Sequence, residues 1–123
     1  DGAKKAKYHA AASILSNQVI AVLDMGYSLL EDCGFTRAEA VRATGQLVMR
    51  NIENVLEAGC DGALTGPIER NDIETVKKHI ACMQNDDSDD VSLYKMLGTK
   101  LAKIAEKKNP DKDYTQMMEL LRG

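Results

Sequence analysis

The chain has 123 residues, of which 44% are hydrophobic and 28% are charged, a composition typical of one soluble globular domain. Its net charge of -3 argues against nucleic acid as a partner. The one local basic cluster, Lys4, Lys5 and Lys7, is better explained by a solvated helix start or domain junction than by phosphate binding. Aromatic residues make up only 4% of the chain. Aliphatic side chains must therefore fill the core, which favours helices packed on helices over a β-sandwich.

The first predicted element is a long helix from about Lys4 to Cys33, which ends at Gly34 because glycine takes the positive φ of a helix C-terminus without penalty. Its apolar residues lie nearly all the way round, as in a helix buried within protein. At 1.5 Å per residue it would be ~45 Å long, so we expect a second subunit to cover part of it in a homodimer. Asn17 and Asp24 interrupt the apolar stretch, and such groups are costly in hydrocarbon, so we do not expect a membrane span.

Four shorter helices are expected after the first. Thr36 and Glu39 form a capping box at the start of the second helix, which stops near Gly59. A capping signal at Asn71 begins the third, and Pro110 separates the fourth from a short last helix. The apolar residues of this last helix share one side and are Tyr114, Met117, Met118 and Leu121. No segment has the pattern of a strand. The sequence therefore predicts an all-α bundle of about five helices in a single domain, residues 1–123.

Neither the cysteines nor the acidic residues predict a metal site. Cys33, Cys60 and Cys82 are odd in number and widely spaced, which is typical of free thiols in a reduced, cytoplasmic protein. We accordingly expect a cytoplasmic chain without a signal peptide. The acidic run before the fourth helix lacks the glycine and glutamate of a calcium loop, and the helix dipole is a sufficient reason for it. This run consists of Asp86, Asp87, Asp89 and Asp90.

Several polar residues share one face of the first helix, where alanines surround them. His9, Ser13, Ser16 and Asn17 lie at helical offsets of zero, four, seven and eight. Small neighbours leave room for a ligand, to which an imidazole and an amide would supply donors and acceptors. These groups would equally be satisfied by hydrogen bonds within the bundle or across an interface, since an unpartnered buried polar group costs ~1–3 kcal/mol. Spacing alone favours the second interpretation.

The most distinctive segment is the turn from Leu64 to Asp72, Leu-Thr-Gly-Pro-Ile-Glu-Arg-Asn-Asp. Thr65 offers a hydroxyl, Gly66 allows close approach of the backbone to another group, and Pro67 fixes φ. Arg70 adds a planar guanidinium suited to a carboxylate or a phosphate. Such a turn is able to clamp an anion, and it is equally consistent with a plain connection between helices.

These stretches resemble a family of NAD(P)-dependent oxidoreductases whose C-terminal half is a domain of unknown function, number 2520. In that family a Rossmann domain precedes a helical domain that carries Tyr-His-Ala-Ala-Ala, Ser-Asn, Leu-Thr-Gly-Pro-Ile-x-Arg-Gly-Asp and Thr-Val-x-x-His. The sequence departs from the pattern at Asn71, where the family has Gly, and at Gln46, where it often has Pro. The matching residues are Tyr8 to Ala12, Ser16, Asn17, Leu64 to Ile68, Arg70, Asp72, Thr75, Val76 and His79.

The resemblance implies a helical domain similar to the C-terminal domain of 6-phosphogluconate dehydrogenase-like proteins. Such domains line the substrate side of the nicotinamide cleft and commonly form the dimer. The chain would then be the substrate and dimerisation half of an oxidoreductase whose N-terminal Rossmann domain binds NAD or NADP. No Gly-x-Gly-x-x-Gly occurs here, so we expect no cofactor-binding residue in this chain and no activity from it alone. The alternative is a stand-alone helical interaction module without catalytic activity.

The resemblance also implies roles for the site residues. Related dehydrogenases place an essential amine and an amide about one turn apart on the first long helix. This chain has no lysine near Asn17, and His9 and Ser13 are the available substitutes. We therefore expect His9 and Asn17 to be catalytic, and Ser13, Thr65 and Arg70 to bind a small polar or anionic substrate.

Overall fold

The computed structural model describes residues 1–84 and 89–123, and every regular element in these ranges is helical. Helices α1 and α2 and the π-helical segment between them form one continuous helix, Gly2–Asp32. The predicted all-α fold of about five helices with a long first helix is therefore confirmed. Asp86 and Asp87 lie outside the described residues. The elements are α1 (Gly2–Ser13), the π-helical segment (Ile14–Gln18), α2 (Val19–Asp32), α3 (Arg37–Ala63), α4 (Ile73–Met83), α5 (Asp90–Lys108) and α6 (Thr115–Arg122).

The chain divides into two compact units, Asp1–Val48 and Met49–Gly123. In the first unit, the connection from α2 to α3 has the predicted turn chemistry. Gly34 has φ 104°, the left-handed conformation that glycine adopts freely. The Glu39 amide donates to Thr36 Oγ1 (3.1 Å) and the Thr36 amide donates to Glu39 Oε1 (2.8 Å). The predicted capping box is thus confirmed in both of its hydrogen bonds.

Arg37, the first residue of α3, joins that helix to α2. Its guanidinium donates to Asp24 Oδ1 (2.9 Å), Glu31 Oε1 (2.8 Å) and Ser28 Oγ (3.2 Å). The same guanidinium lies 5.7 Å from the centroid of the Tyr27 ring, within reach of a cation–π interaction. Single exposed ion pairs stabilise a protein little. A planar group that makes four contacts at once nevertheless orients the start of α3 against the end of α2.

The first unit does not bury the long helix that it contains. No residue of Gly2–Asp32 is buried, and Tyr8 and Leu15 are 80% and 77% exposed. The expectation of a helix enclosed by protein is therefore not met within this unit. By length and composition alone, the helix would also be able to cross a membrane, a property shared by helices that pack against another protein.

In the second unit, α4, α5 and α6 pack around a core to which the Leu64–Asp72 turn contributes. Gly98 on α5 allows this packing, because a Cβ there would lie 2.8 Å from Leu121 Cδ2 and 3.2 Å from Ile68 Cδ1. The apolar side of α6 faces inward as its spacing predicts, which places Met117 and Leu121 in the core. The buried cluster consists of Ile68, Val76, Ile80, Ala102, Ala105, Tyr114, Met117 and Leu121.

Two helix boundaries in this unit depend on unusual backbone conformations. Gly59 has φ 78° and ψ 174°, a region that is essentially restricted to glycine, so helical geometry breaks where the second helix was predicted to stop. The expected cap at Asn71 is displaced by one residue. Asn71 is left-handed, with φ 61°, and Asp72 caps α4 by accepting from the amide and hydroxyl of Thr75 at 3.2 and 2.7 Å.

Candidate functional site

Two predicted site residues on the first helix, Ser13 and Asn17, lie at a local change of helix geometry. The π-helical segment Ile14–Gln18 begins directly after Ser13 and contains Asn17. A π-helical turn brings residues i and i+5 together, and the Ser13 hydroxyl accordingly donates to Gln18 Oε1 at 3.2 Å. Such turns occur frequently at functional sites. The sequence was interpreted with 3.6 residues per turn along the whole first helix, and nothing in it indicated a π-helical segment.

His9 and Asn17 are both exposed, and neither side chain has a hydrogen-bond partner within residues 1–84 and 89–123. Ser16 differs, because its hydroxyl donates to the Ala12 carbonyl at 2.6 Å. Among the described residues, hydrogen bonds inside the bundle therefore do not satisfy the side chains of His9 and Asn17, although one of the two interpretations had expected them to do so. Both side chains are accessible to a ligand or to a second subunit.

The Leu64–Asp72 turn has one side toward the core and displays two of its side chains to solvent. Leu64 packs against the core and Ile68 is buried, whereas Thr65 and Arg70 are exposed. Gly66 has φ 97°, a conformation that explains the glycine at this position. The Arg70 amide donates to the Gly66 carbonyl at 3.0 Å, which closes the turn. The hydroxyl and the guanidinium that the sequence singled out are thus displayed on the solvent side of a closed turn.

Side chains from the end of α5 and from its connection to α6 hold the inner side of this turn. Lys108 Nζ donates to the Leu64 carbonyl at 2.7 Å, and the Tyr114 hydroxyl donates to the Glu69 carbonyl at 2.6 Å. Asn109 Nδ2 lies 3.0 Å from Tyr114 Oη. The contacts of Lys108 and Tyr114 with the turn join residues 44 and 45 positions apart, so no local sequence pattern predicts them. The only signal was Tyr114 on the apolar side of the last helix, since a buried tyrosine hydroxyl usually has a partner.

The charged groups of the turn are only partly neutralised. Hydrogen bonds from the hydroxyl and amide of Thr75 hold the pKa of the Asp72 carboxyl below its usual range, and the positive charge of Arg70 contributes less. Arg70 itself makes no salt bridge with any described residue. The oxygen Oδ1 of Asn71 is buried without a partner in the same part of the chain. The turn therefore offers a cation and a hydroxyl to solvent.

His79 on α4 is partly buried against α5. Its Nδ1 lies 2.9 Å from Tyr94 Oη, and the two rings meet edge to face with centroids 5.8 Å apart. Burial raises the pKa of the Tyr94 phenol above its ordinary value. The histidine of the Thr-Val-x-x-His pattern thus takes part in helix packing.

Two cavities lie away from these residues. An apolar groove of about 330 Å³ lies between α2 and α3, and a charged cleft of about 590 Å³ lies beside α5 and α6. None of the predicted site residues lines either cavity. His9, Ser13 and Asn17 belong to the first unit and Thr65 and Arg70 to the second, so their approach to one another stays a prediction.

No curated protein and no solved structure matches this chain. The model of one family, described as Domain of unknown function (DUF2520), matches residues 1–101. The matched region contains the first helix, the π-helical segment and the Leu64–Asp72 turn, and it ends before the anchoring residues 108–114. Because the match covers far more than half of its length, the chain belongs to the DUF2520 family.

Proposed function

We propose that this chain is the substrate-side and dimerisation domain of an NAD(P)-dependent oxidoreductase. The observation that carries the proposal is the closed Leu64–Asp72 turn, which displays Thr65 and Arg70 to solvent while its other side packs in the core. The resemblance of this turn and of the first helix to oxidoreductase domains supplies the reaction class. A small carboxylate-bearing substrate would suit the exposed guanidinium, because its planar fork binds carboxylates through two parallel hydrogen bonds.

The residues of the first helix would handle the reacting group of that substrate. An imidazole is able both to donate and to accept a proton, so His9 would exchange a proton with the substrate oxygen or nitrogen. The amide of Asn17 would orient the same group, with the Ser13 hydroxyl beside it. NAD(P) would exchange the hydride, and its contacts would come from a Rossmann domain, since the described residues contain no strand and glycine turn of that kind.

Arg70→Ala in the full-length protein should raise KM for a small oxo acid by about ten- to a hundredfold, because a charge-assisted contact to the substrate is lost. His9→Ala should instead lower kcat mainly, since it removes the proton donor. The measurement is NAD(P)H oxidation with a panel of oxo acids, accompanied by cofactor titration and thermal unfolding. Arg50→Ala, which removes another exposed arginine of the second unit, is the matched control.

Two outcomes would contradict the assignment of Arg70 and His9 to the site. One is a change no larger than that caused by Arg50→Ala. The other is a loss of activity that follows a loss of stability, with no separate effect on KM or kcat. Unchanged cofactor binding in both variants is part of the expected result, because neither residue is expected to touch the nucleotide.

The dimerisation part of the proposal depends on the first helix. Tyr8, Leu15 and Ile20 are all more than half exposed, and monomeric soluble proteins rarely expose large contiguous apolar patches. A standard interface covers about 800 Å² on each partner, an area that several large apolar side chains along ~45 Å of helix can supply. A second copy of this chain is the partner that we propose.

Light scattering at micromolar concentration should therefore give twice the 13.5 kDa mass of the chain. Ile20→Asp should shift the protein toward the monomer, because it places a charge within the covered surface. Met96→Asp changes an apolar residue that is 71% exposed in the second unit and should leave the dimer intact. A 13.5 kDa monomer for the unmodified chain would overturn this part of the proposal, and cosedimentation with lipid vesicles would point to a membrane instead.

The uncovered first helix also favours a second candidate, a helical interaction module that dimerises without catalysis. This second candidate predicts the same dimer mass, but it predicts no reduction of oxo acids. A full-length protein that dimerises through Ile20 but shows no effect of Arg70→Ala or His9→Ala on any oxo-acid reduction would favour this second candidate.

A further inference from the structure

We propose that residues 108–114, the last residue of α5 and the connection to α6, are positioning residues that hold the Leu64–Asp72 turn in the conformation that displays Thr65 and Arg70. The role of this turn in binding substrate rests on the proposed function, whereas the anchoring itself rests only on the geometry of the second unit. The inference assigns a role to a segment that lies beyond the region matched by the family, residues 1–101.

The anchors hold the turn at both of its ends. Lys108 Nζ donates to the Leu64 carbonyl at 2.7 Å, just before Thr65, and Tyr114 Oη donates to the Glu69 carbonyl at 2.6 Å, just before Arg70. Each contact therefore fixes the peptide that leads directly into a displayed residue. Tyr114 is only 2% exposed, so water competes little for its hydrogen bond.

A second set of contacts fixes the direction of the Tyr114 hydroxyl. Asn109 Nδ2 donates to Tyr114 Oη at 3.0 Å and to Glu69 Oε2 at 3.2 Å. A phenol has one proton to donate, and because the oxygen accepts from Asn109, that proton points at the Glu69 carbonyl. Lys112 Nζ lies 3.8 Å from Glu69 Oε2. The backbone and the side chain of Glu69 are thus both held by the segment 108–114.

Asn71 supplies a third anchor through its side chain. Its left-handed φ of 61° would suit glycine equally well, but its side-chain Nδ2 donates to the Asp113 carbonyl at 2.7 Å. Glycine cannot make this contact. Asn71 therefore provides both the left-handed backbone conformation of the turn and a hydrogen bond to the segment 108–114.

A turn that is fixed before its ligand arrives loses less conformational entropy on binding. The three anchors occupy backbone and side-chain groups on the inner side of the turn and leave Thr65 and Arg70 free on the other side. The segment 108–114 therefore fixes the conformation of the Leu64–Asp72 turn and does not itself contact the substrate.

Amide hydrogen exchange of this chain, measured by NMR, tests the inference. The amides of Arg70, Asn71 and Asp72 donate to carbonyls within the turn and report on its opening. Tyr114→Phe removes only the anchoring hydroxyl and should speed their exchange by about five- to tenfold relative to the core amides of α4 and α5. Tyr94→Phe, which removes the hydroxyl beside His79, should leave the exchange of the turn unchanged.

Two further variants keep the test decisive if Tyr114→Phe unfolds the chain. Lys108→Met removes an ammonium and keeps an unbranched apolar side chain, and Asn71→Gly keeps the left-handed conformation and removes the side-chain anchor. Both should speed exchange in the turn selectively. Equal acceleration of all amides in the second unit, or none in the turn, would overturn the inference. No substrate enters the measurement, so its outcome is separate from the activity of Arg70→Ala.

Discussion

Met117→Ala should lower the free energy of unfolding of the second unit by about 2–5 kcal/mol, the usual cost of truncating a fully buried large side chain. Met117 is 0% exposed and lies in the core beside the other buried residues of α6. Urea denaturation followed by circular dichroism measures the loss. The control is Met96→Ala on α5, where the side chain is 71% exposed, and its effect should stay within about 0.5 kcal/mol.

Met117 also affects the candidate site, because it docks α6 beside the Leu64–Asp72 turn. Helix α6 has only eight residues, and isolated helices of that length are not stable in water. It remains helical because Met117 and Leu121 dock it, and docking also places Tyr114 against the turn. If Met117→Ala were no more harmful than Met96→Ala, α6 would not be packed in solution as described, and the anchoring of the turn would fail with it.

Gly59→Ala should destabilise the chain by about 1–3 kcal/mol, because alanine is strained at φ 78° and ψ 174°. The new Cβ would also lie 3.2 Å from Asp61 Oδ1. Gly45→Ala is the matched control within the same helix, since its backbone is helical and nothing lies within 4 Å of a Cβ built there.

The two glycine variants should therefore change stability in opposite directions. Gly45→Ala should raise the free energy of unfolding by up to about 1 kcal/mol through helix propensity, and both changes are measured as shifts of the urea midpoint. Stabilisation by both substitutions would show that α3 continues as a regular helix through Gly59, and that the kink before the Leu64–Asp72 turn is not populated.

Local sequence signals predicted the features of this fold that depend on residues a few positions apart. The Thr36–Glu39 capping box and the stop at Gly34 involve neighbours within one helical turn, and both are observed. The inward face of α6 also followed from helical spacing alone. Likewise, the motif pattern singled out Thr65 and Arg70, which the turn does display to solvent.

The remaining features required the tertiary structure, because their partners are distant in the sequence. Asn71 contributes to an anchor 42 residues away instead of capping α4, and Asp72 takes its place at the cap. Tyr114 and Glu69 are 45 residues apart, and their hydrogen bond forms only when α6 docks. No pattern of neighbouring residues predicts this hydrogen bond, because the bond depends on how the helices pack. The conformation of the candidate turn was therefore decided by the second unit as a whole, while its chemistry was already present in the sequence.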